Sequence, residues 1–249
     1  MPIISICSNK GGVGKTTSVQ NIGVYLAKKG YKVAMIDLDA QANLSIAQSN
    51  TKSFDLSTAL EKGTILTIEN FARTNVENLF ILPNNKNVSS DAFIADDQIK
   101  KFLILKKIIP TKLFDFIFID TPPALEMPTF NALVASDYVL IPIKHDRFSA
   151  EGLNTLLENV ESAKMINPKL EVVGVFGTFA ELQTNLARSM TEVLQNKYPD
   201  LILKTSIRKN IKFSEAQLED KSIFEIVDER GTEDYKNLAE ELLIKIKYV

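Results

Sequence analysis

The chain has 249 residues, of which 45% are hydrophobic and 24% are charged, and this composition predicts one globular α/β domain spanning residues 1–249. A net charge of −2 excludes a strong overall basic field, and the single cysteine, Cys7, excludes a disulfide framework. The start of the chain lacks a signal-peptide pattern and the sequence has no run of about 18 apolar residues, so we expect a cytoplasmic protein without a membrane contact.

A glycine-rich segment, Asn9–Thr17, joins the first predicted strand to the first predicted helix. The apolar run Ile3–Cys7 predicts a buried strand, and Ser18–Lys29 has helical periodicity. A strand, a glycine-rich loop and a helix in this order are typical of a phosphate-binding loop, because glycines let backbone N–H groups converge on an anion. The sequence therefore predicts that this loop binds a nucleotide through Lys10, Gly11, Gly12, Val13, Gly14, Lys15, Thr16 and Thr17.

Two side chains of this loop have the chemistry to contact the reacting end of a nucleotide. Lys15 is predicted to reach the β- and γ-phosphates. The Thr16 hydroxyl is a predicted ligand of a magnesium ion. The positive end of the dipole of the following helix would add to the attraction for the phosphates.

Acidic residues end two further predicted strands. Lys32–Asp37 is followed by Asp39, and the continuous apolar run Phe114–Asp120 is typical of a central parallel strand covered on both faces. The carboxyl ends of parallel strands share one edge of the sheet, which places these acids beside the phosphate loop. Asp37 and Asp120 are therefore predicted magnesium ligands, although turn chemistry alone would also account for the acids after the second strand.

The remaining predicted elements alternate between strands and helices, and this order predicts a doubly wound α/β fold with a mostly parallel sheet flanked by helices. The lysines of the helix over 99–109 are interpreted as a solvated face. The predicted helices cover 56–60, 99–109, 148–166, 185–197 and 234–247, and the predicted strands cover 79–82, 137–143 and 172–179.

The loop departs from the usual phosphate-loop pattern at its start, where Asn9 replaces glycine and Lys10 follows. Lys10-Gly-Gly-Val-Gly-Lys-Thr resembles the deviant Walker A motif of P-loop NTPases such as the ParA/Soj partition ATPases, MinD and the nitrogenase iron protein. The resemblance extends over nearly the whole chain, through Asp37-Leu-Asp-Ala-Gln, Asp120-Thr-Pro-Pro, Phe148-Ser-Ala-Glu-Gly-Leu and the segment 207–216.

This resemblance implies a catalytic set of Lys10, Lys15 and Asp39. In such families the early lysine touches the phosphates of the partner subunit in a nucleotide-sandwich dimer, which implies that role for Lys10. Asp39 would orient or activate the attacking water. The implied cofactors are ATP and Mg²⁺, and slow hydrolysis to ADP and phosphate would be the reaction.

The ParA-type resemblance also implies partners. The ATP-dependent homodimer would bind non-specific DNA on the nucleoid, and a ParB-type centromere-binding protein would stimulate hydrolysis during plasmid or chromosome segregation. The segment 207–216 would supply part of the adenine pocket, with Thr178, Arg208 and Asn210 as contacts. Arg208 stands where the family usually has proline.

Four basic residues and no acid lie between Lys204 and Lys212. Lys204, Lys209 and Lys212 are the predicted DNA contacts, since dimerisation would bring two copies of this segment together. A solvated loop is the alternative interpretation of such a charge run.

A MinD-like, membrane-associated positioning ATPase is the alternative function. The final helix has Leu238, Leu242 and Ile246 on one face, as an amphipathic membrane anchor would. Glu240 and Glu241 and the absence of Trp or Phe in the helix favour packing against the core instead. An iron–sulfur carrier of the same superfamily would need a Cys-x-x-Cys pair, which this chain lacks.

Overall fold

The computed structural model describes residues 1–48, 54–84, 90–93, 99–144, 149–180 and 192–248. Its central sheet has the spatial order β3-β4-β2-β5-β1-β6-β7. Neighbouring strands run parallel, except that β3 is antiparallel to β4. The strands are β1 (Ile3–Ile6), β2 (Val33–Asp37), β3 (Ala72–Arg73), β4 (Leu79–Leu82), β5 (Phe116–Asp120), β6 (Tyr138–Lys144) and β7 (Glu171–Thr178).

Helices cover both faces of this sheet, so the predicted doubly wound fold is confirmed. Residues 192–197 are also helical and are labelled α7. The helices are α1 (Lys15–Lys28), α2 (Asn43–Gln48), α3 (Leu56–Lys62), α4 (Ile104–Ile108), α5 (Met127–Ala135), α6 (Ser149–Lys164), α7, α8 (Lys212–Leu218) and α9 (Glu229–Lys245).

The central position of β5 in the sheet explains why its sequence is apolar up to Asp120. Phe116 and Phe118 pack in one buried cluster with side chains of α1 and α9, whereas Ile117 and Ile119 pack in a second cluster with α3, α4 and α5. A strand covered on both faces has no position for a polar side chain until it reaches the edge of the sheet. Each of these fully buried side chains stabilises the fold by about 1.5–3 kcal/mol.

The chain changes direction across the sheet at β1. From β1 it crosses through α1 to β2 on one side, and from β5 it crosses through α5 to β6 on the other side. In open α/β sheets a crevice forms outside the carboxyl ends of the strands at such a switch point, and ligands bind there. The phosphate loop and Asp120 both lie at this end.

Some element boundaries differ from the predictions. The helix predicted over 99–109 is a 3-10 turn, Lys100–Phe102, followed by the short helix α4, because Leu103 between them has non-helical dihedral angles. Helix α9 begins five residues earlier than predicted, since the Asp228 carboxylate caps it by accepting from Gly231 N at 2.7 Å. Helix α5 was not predicted. Residues 148 and 185–191 of the predicted helices lie outside the described residues.

Candidate nucleotide-binding site

The loop between β1 and α1 has the backbone that its glycines predict. Gly12 and Gly14 have φ angles of 65° and 84°, a region that side chains disfavour. Gly14 is also the N-cap of α1, and no side chain caps the helix there. The N–H groups of the first turn of α1 are therefore available to an anion in the loop.

Lys15 begins α1 with its side chain folded back over the loop. Its Nζ donates a hydrogen bond to the Lys10 carbonyl oxygen at 3.2 Å, and the residue is only 6% exposed. Burial lowers the pKa of Lys15, whereas the nearby carboxylates of Asp120 and Asp39 favour its charged form. A buried ammonium group at the uncapped N-terminus of α1 is suited to bind phosphate.

Asp37 and Asp120 are register partners at the ends of β2 and β5, and both are fully buried. Burial raises the pKa of Asp37 to about 6, although hydrogen bonds from Ser45 and Asp39 oppose that rise. Burial raises the pKa of Asp120 well above its usual value, and the charge of Asp37 raises it further. Two adjacent buried carboxylates therefore disfavour their own ionisation.

The Asp120 carboxylate has no hydrogen-bond donor among the described residues. The Thr16 hydroxyl lies near enough to lower the pKa of Asp120, but without hydrogen-bond geometry. An unpaired buried carboxylate is costly unless a cation offsets it. Among the described residues no cluster of three or more acidic, histidine or cysteine side chains forms a metal site by itself. Two acids and a hydroxyl fit magnesium, which takes several ligands from water and phosphate.

Asp39 lies two residues beyond the end of β2 and is half-buried. Its backbone N–H donates to Asp37 Oδ1 at 3.0 Å, and its own Oδ1 accepts from Gln41 N at 2.9 Å. Asp39 lines the cavity beside the phosphate loop, and its catalytic role stays a prediction.

That cavity has a volume of about 290 Å³. It brings together parts of the chain that are far apart in sequence. Its lining includes the phosphate loop, Asp39, Pro123 of the Asp120-Thr-Pro-Pro segment, and two residues that the sequence interpretation did not single out, Phe179 and Gln217. The lining residues of the loop itself are Gly11, Gly12, Gly14, Lys15, Thr16 and Thr17.

Thr178 and Phe179 pack against the last glycine of the loop. A Cβ placed at Gly14 would lie 3.8 Å from Thr178 Cγ2 and 4.0 Å from Phe179 Cε2. The Thr178 hydroxyl donates to the Ile143 carbonyl oxygen at 3.1 Å. The ammonium group of Lys144 lies 4.7 Å from the centre of the Phe179 ring. Lys144 and Phe179 are thus neighbours of the phosphate loop that the sequence interpretation missed.

Arg208 and Asn210, the other predicted adenine contacts, bind acids at the start of α9. Arg208 donates through its backbone N–H to Asp234 Oδ2 at 2.9 Å and through Nε to Asp234 Oδ1 at 2.8 Å. Its guanidinium group also contacts Glu233 at 2.9 Å. Asn210 Nδ2 donates to Asp228 Oδ2 at 2.7 Å. Neither residue lines the cavity at the phosphate loop.

Acids lie beside two of the predicted DNA-binding lysines, one acid in α8 and one in α9. Lys212 Nζ pairs with Glu215 at 2.5 Å, and this contact raises the pKa of Lys212. Glu241 accepts from the backbone N–H of Lys204 at 2.8 Å. The side chains of Lys204 and Lys209 are exposed. The segment 204–212 itself contains no acid, but Glu215 just beyond it and Glu241 of α9 contact it.

The phosphate loop, its lysine and the two strand-end acids form one site at the switch point of the sheet. A family model described as an AAA domain matches residues 1–172. The chromosome-partitioning ATPase Soj of Treponema pallidum is 33% identical over 243 residues, which cover 96% of this chain and 95% of that protein. This chain belongs to the ParA/Soj family of P-loop ATPases.

Solved structures share the fold of this family member. One, from Borrelia burgdorferi B31, is named as a plasmid partition protein and was solved with AMPPNP. It is 26% identical, has a TM-score of 0.82 and covers 98% of this chain and 99% of its own. Cobyrinic acid a,c-diamide synthase from Mycobacterium smegmatis, with bound ADP and magnesium, is 25% identical with a TM-score of 0.82, covering 99% and 96%. The same fold therefore occurs in a protein named for plasmid partition and in one named as a synthase.

The sequence analysis did not identify two further polar residues near the nucleotide-binding site, Ser45 and Asn84. Ser45 lies in α2 and Asn84 directly after β4 and Pro83, and both are hydrogen-bonded to the segment that carries Asp37 and Asp39. The position of Asn84 at the end of a strand was the signal that could have identified it, as it identified Asp37.

Proposed function

We propose that this chain acts as a single-domain ParA-type ATPase that segregates a plasmid or chromosome, with ATP and Mg²⁺ as cofactors. The observation that carries the proposal is the buried Asp120 carboxylate, which lacks a donor among the described residues beside Lys15. Nucleotide phosphates would pair with the Lys15 ammonium group, and a divalent cation would pair with the Asp120 carboxylate. The family membership and the relative named as a chromosome-partitioning ATPase support the same conclusion.

Different residues of the site would bind the phosphates and the magnesium ion. The N–H groups of the loop and the Lys15 ammonium group would hold the phosphates, and Thr16, Asp37 and Asp120 would hold the magnesium ion. Magnesium would neutralise negative charge that develops on the phosphates during transfer. Burial raises the pKa of both acids, and a bound cation would offset the burial that makes their ionised forms unfavourable.

Asp39 would orient or activate the attacking water. As the water oxygen bonds to the γ-phosphorus, the bond to the bridging oxygen breaks, and ADP and phosphate are released. Asp39 lies two residues after Asp37, and its backbone N–H donates to Asp37 Oδ1 at 3.0 Å. The position of Asp39 is therefore fixed relative to the proposed magnesium ligand Asp37.

ATP would also join two copies of the chain, with Lys10 of each contacting the phosphates of the other. The dimer would then bind DNA without sequence preference through Lys204, Lys209 and Lys212. A ParB-type partner would stimulate hydrolysis and so release the dimer, which would associate with the nucleoid in its ATP-bound state.

The C-terminal helix weighs against the MinD-like alternative. Leu238 and Leu242 of α9, and Ile246 directly after it, are buried in the core cluster with α1, at 0%, 1% and 8% exposure. A face that packs inside the protein is not available as a membrane anchor. Within the described residues, moreover, the helices are too short or too polar to span a bilayer.

The test compares the parent chain with Asp39→Ala in three assays: phosphate release, ATP binding by calorimetry and dimerisation by light scattering. The parent should hydrolyse ATP without an acceptor substrate. DNA together with a ParB-type partner should increase the rate of this hydrolysis. Asp39→Ala should bind ATP and dimerise but release at least about 100-fold less phosphate, the usual range for a general base. Release that requires a carboxylic acid acceptor would instead support a synthase, and parent-like turnover by Asp39→Ala would remove the catalytic role of Asp39.

A further inference from the structure

Buried hydrogen bonds join the end of β2 to the end of β4 through the helix α2. Ser45 in α2 donates to Asp37 Oδ2 twice, from its backbone N–H at 2.9 Å and from its hydroxyl at 2.6 Å. The same hydroxyl oxygen accepts from Asn84 N at 2.7 Å. Ser45 and Asn84 are each 5% exposed. Water therefore competes poorly for these bonds, and their geometry is fixed by three packed elements.

Asn84 also reaches the turn that carries Asp39. Its side-chain Nδ2 donates to the Asp39 carbonyl oxygen at 2.8 Å. The Ala42 N–H donates to the same oxygen at 2.9 Å, and Ala42 has a φ angle of 54°. A non-glycine residue in this left-handed region persists only where its surroundings hold it. Asn84 is thus a support for the turn that lies outside the turn itself.

The contrast between Asp37 and Asp39 shows what this support achieves. The Asp37 side chain is fully buried and accepts three hydrogen bonds, so its own contacts fix its position. Asp39 is half-buried, and Gln41 N within the same turn donates to its carboxylate at 2.9 Å. The direction of the Asp39 side chain therefore depends on how firmly the backbone of the turn is held.

We propose that Ser45 and Asn84 are positioning residues that hold the 38–42 turn against β2 and β4 and thereby aim the Asp39 carboxylate at the phosphate loop. This inference rests on the proposed function, in which Asp39 acts on the attacking water. Neither residue touches the nucleotide cavity. A displacement of about 1 Å at a catalytic group is enough to lower a rate by about 100-fold, whereas phosphate binding by Lys15 and the loop does not depend on this turn.

The experiment measures steady-state hydrolysis by Asn84→Ala, Ser45→Ala and Ser45→Thr. We expect kcat to fall by about 10-fold or more in both alanine variants, with the KM for Mg·ATP within about 2-fold of the parent value. Ser45→Thr retains the hydroxyl and should recover most of the lost kcat. Ser57→Ala is the matched control, because Ser57 is similarly buried at 9% exposure and its hydroxyl donates to Asp55 at 2.8 Å, away from the turn.

Hydrogen exchange of the nucleotide-free protein gives a second readout that does not depend on activity. Amides of residues 38–46 should exchange about 10-fold faster in Asn84→Ala than in the parent, while those of α1 remain unchanged. Parent-like kcat and exchange in Asn84→Ala would overturn the inference. So would losses of kcat and of ATP affinity that match those of Ser57→Ala, since these indicate general destabilisation. Failure of the proposed function would look different, because the parent chain itself would then release no phosphate.

Discussion

The phosphate-loop end of the molecule and the segment around Arg208 differ in how their charged side chains are buried and paired. Lys15 and Asp120 are buried, and the Asp120 carboxylate has no donor among the described residues. Arg208 and Lys212 lie nearer the surface, and each is paired with carboxylates of α8 or α9. Buried charges without partners reduce stability and are retained where a ligand completes them, whereas charges that are already paired within the protein indicate little about function.

The strongest test of this comparison is Lys15→Ala, which removes the buried cation of the loop. ATP affinity should fall about 100-fold or more, because hydrogen bonds to charged groups contribute up to about 3 kcal/mol each. Lys28→Ala, at the exposed far end of α1, is the matched control and should bind ATP like the parent. Calorimetry measures both, and an unchanged affinity in Lys15→Ala would remove the loop assignment.

Asp120→Asn tests whether the buried carboxylate is costly before ligands bind. The folded-state pKa of Asp120 is raised above its usual value of 3.8, so the native state binds the proton more tightly and the contribution of this group to the stability of the parent falls as pH rises above about 4. The variant cannot ionise there, and at pH 8 its free energy of unfolding should exceed that of the parent by about 1–3 kcal/mol. Magnesium-dependent ATP binding should nevertheless weaken.

Urea unfolding of the nucleotide-free protein at pH 5 and pH 8 measures this difference. Asp115→Asn is the control at the other end of the same strand, because its carboxylate already accepts from Lys32 N at 2.7 Å. The advantage of Asp120→Asn should grow with pH, and the control should show no such gain. A variant that is less stable than the parent at pH 8 would contradict the idea that this acid is unsatisfied.

Lys10→Ala separates the two lysines of the loop. Monomeric nucleotide binding should persist, since Lys10 accepts from Lys15 through its backbone carbonyl oxygen, which the substitution retains. ATP-dependent dimerisation should weaken by about 10-fold, the low end of the range for a charged hydrogen bond. Light scattering over a protein concentration series tests this expectation. Dimerisation equal to that of the parent would refute the cross-subunit role.

The smallest effect is expected on DNA binding. Replacing Lys209 and Lys212 with alanine should weaken ATP-dependent binding a few-fold on every sequence and reduce the slope of log affinity against log salt by roughly 0.9 per lost contact. Glu215→Gln should strengthen binding, because it releases Lys212 from its partner. Glu219→Gln removes the same charge but releases Lys221 instead, so it is the matched control. Equal effects of both glutamine variants would show that only net charge matters.

Local patterns in the chain determined much of this site. Strand ends and glycine positions predicted the phosphate loop, Asp37 and Asp120 together at one edge, because parallel strands present their carboxyl ends on the same side. The continuous apolar run of β5 predicted a strand covered on both faces, and Phe116 and Ile117 do pack in different clusters. The roles assigned to individual side chains toward the nucleotide, the partner subunit and DNA stay predictions.

What only the tertiary structure decided are the contacts between elements that are distant along the chain. The sequence marks Arg208 as one of a run of cations, yet Asp234, 26 residues later, binds it. Nothing local connects Asn84 to Asp39, 45 residues earlier, because their bond exists only once β4 lies beside β2. Periodicity and glycine placement are local properties, whereas the pairing of charges and the support of a turn depend on which elements the fold brings together.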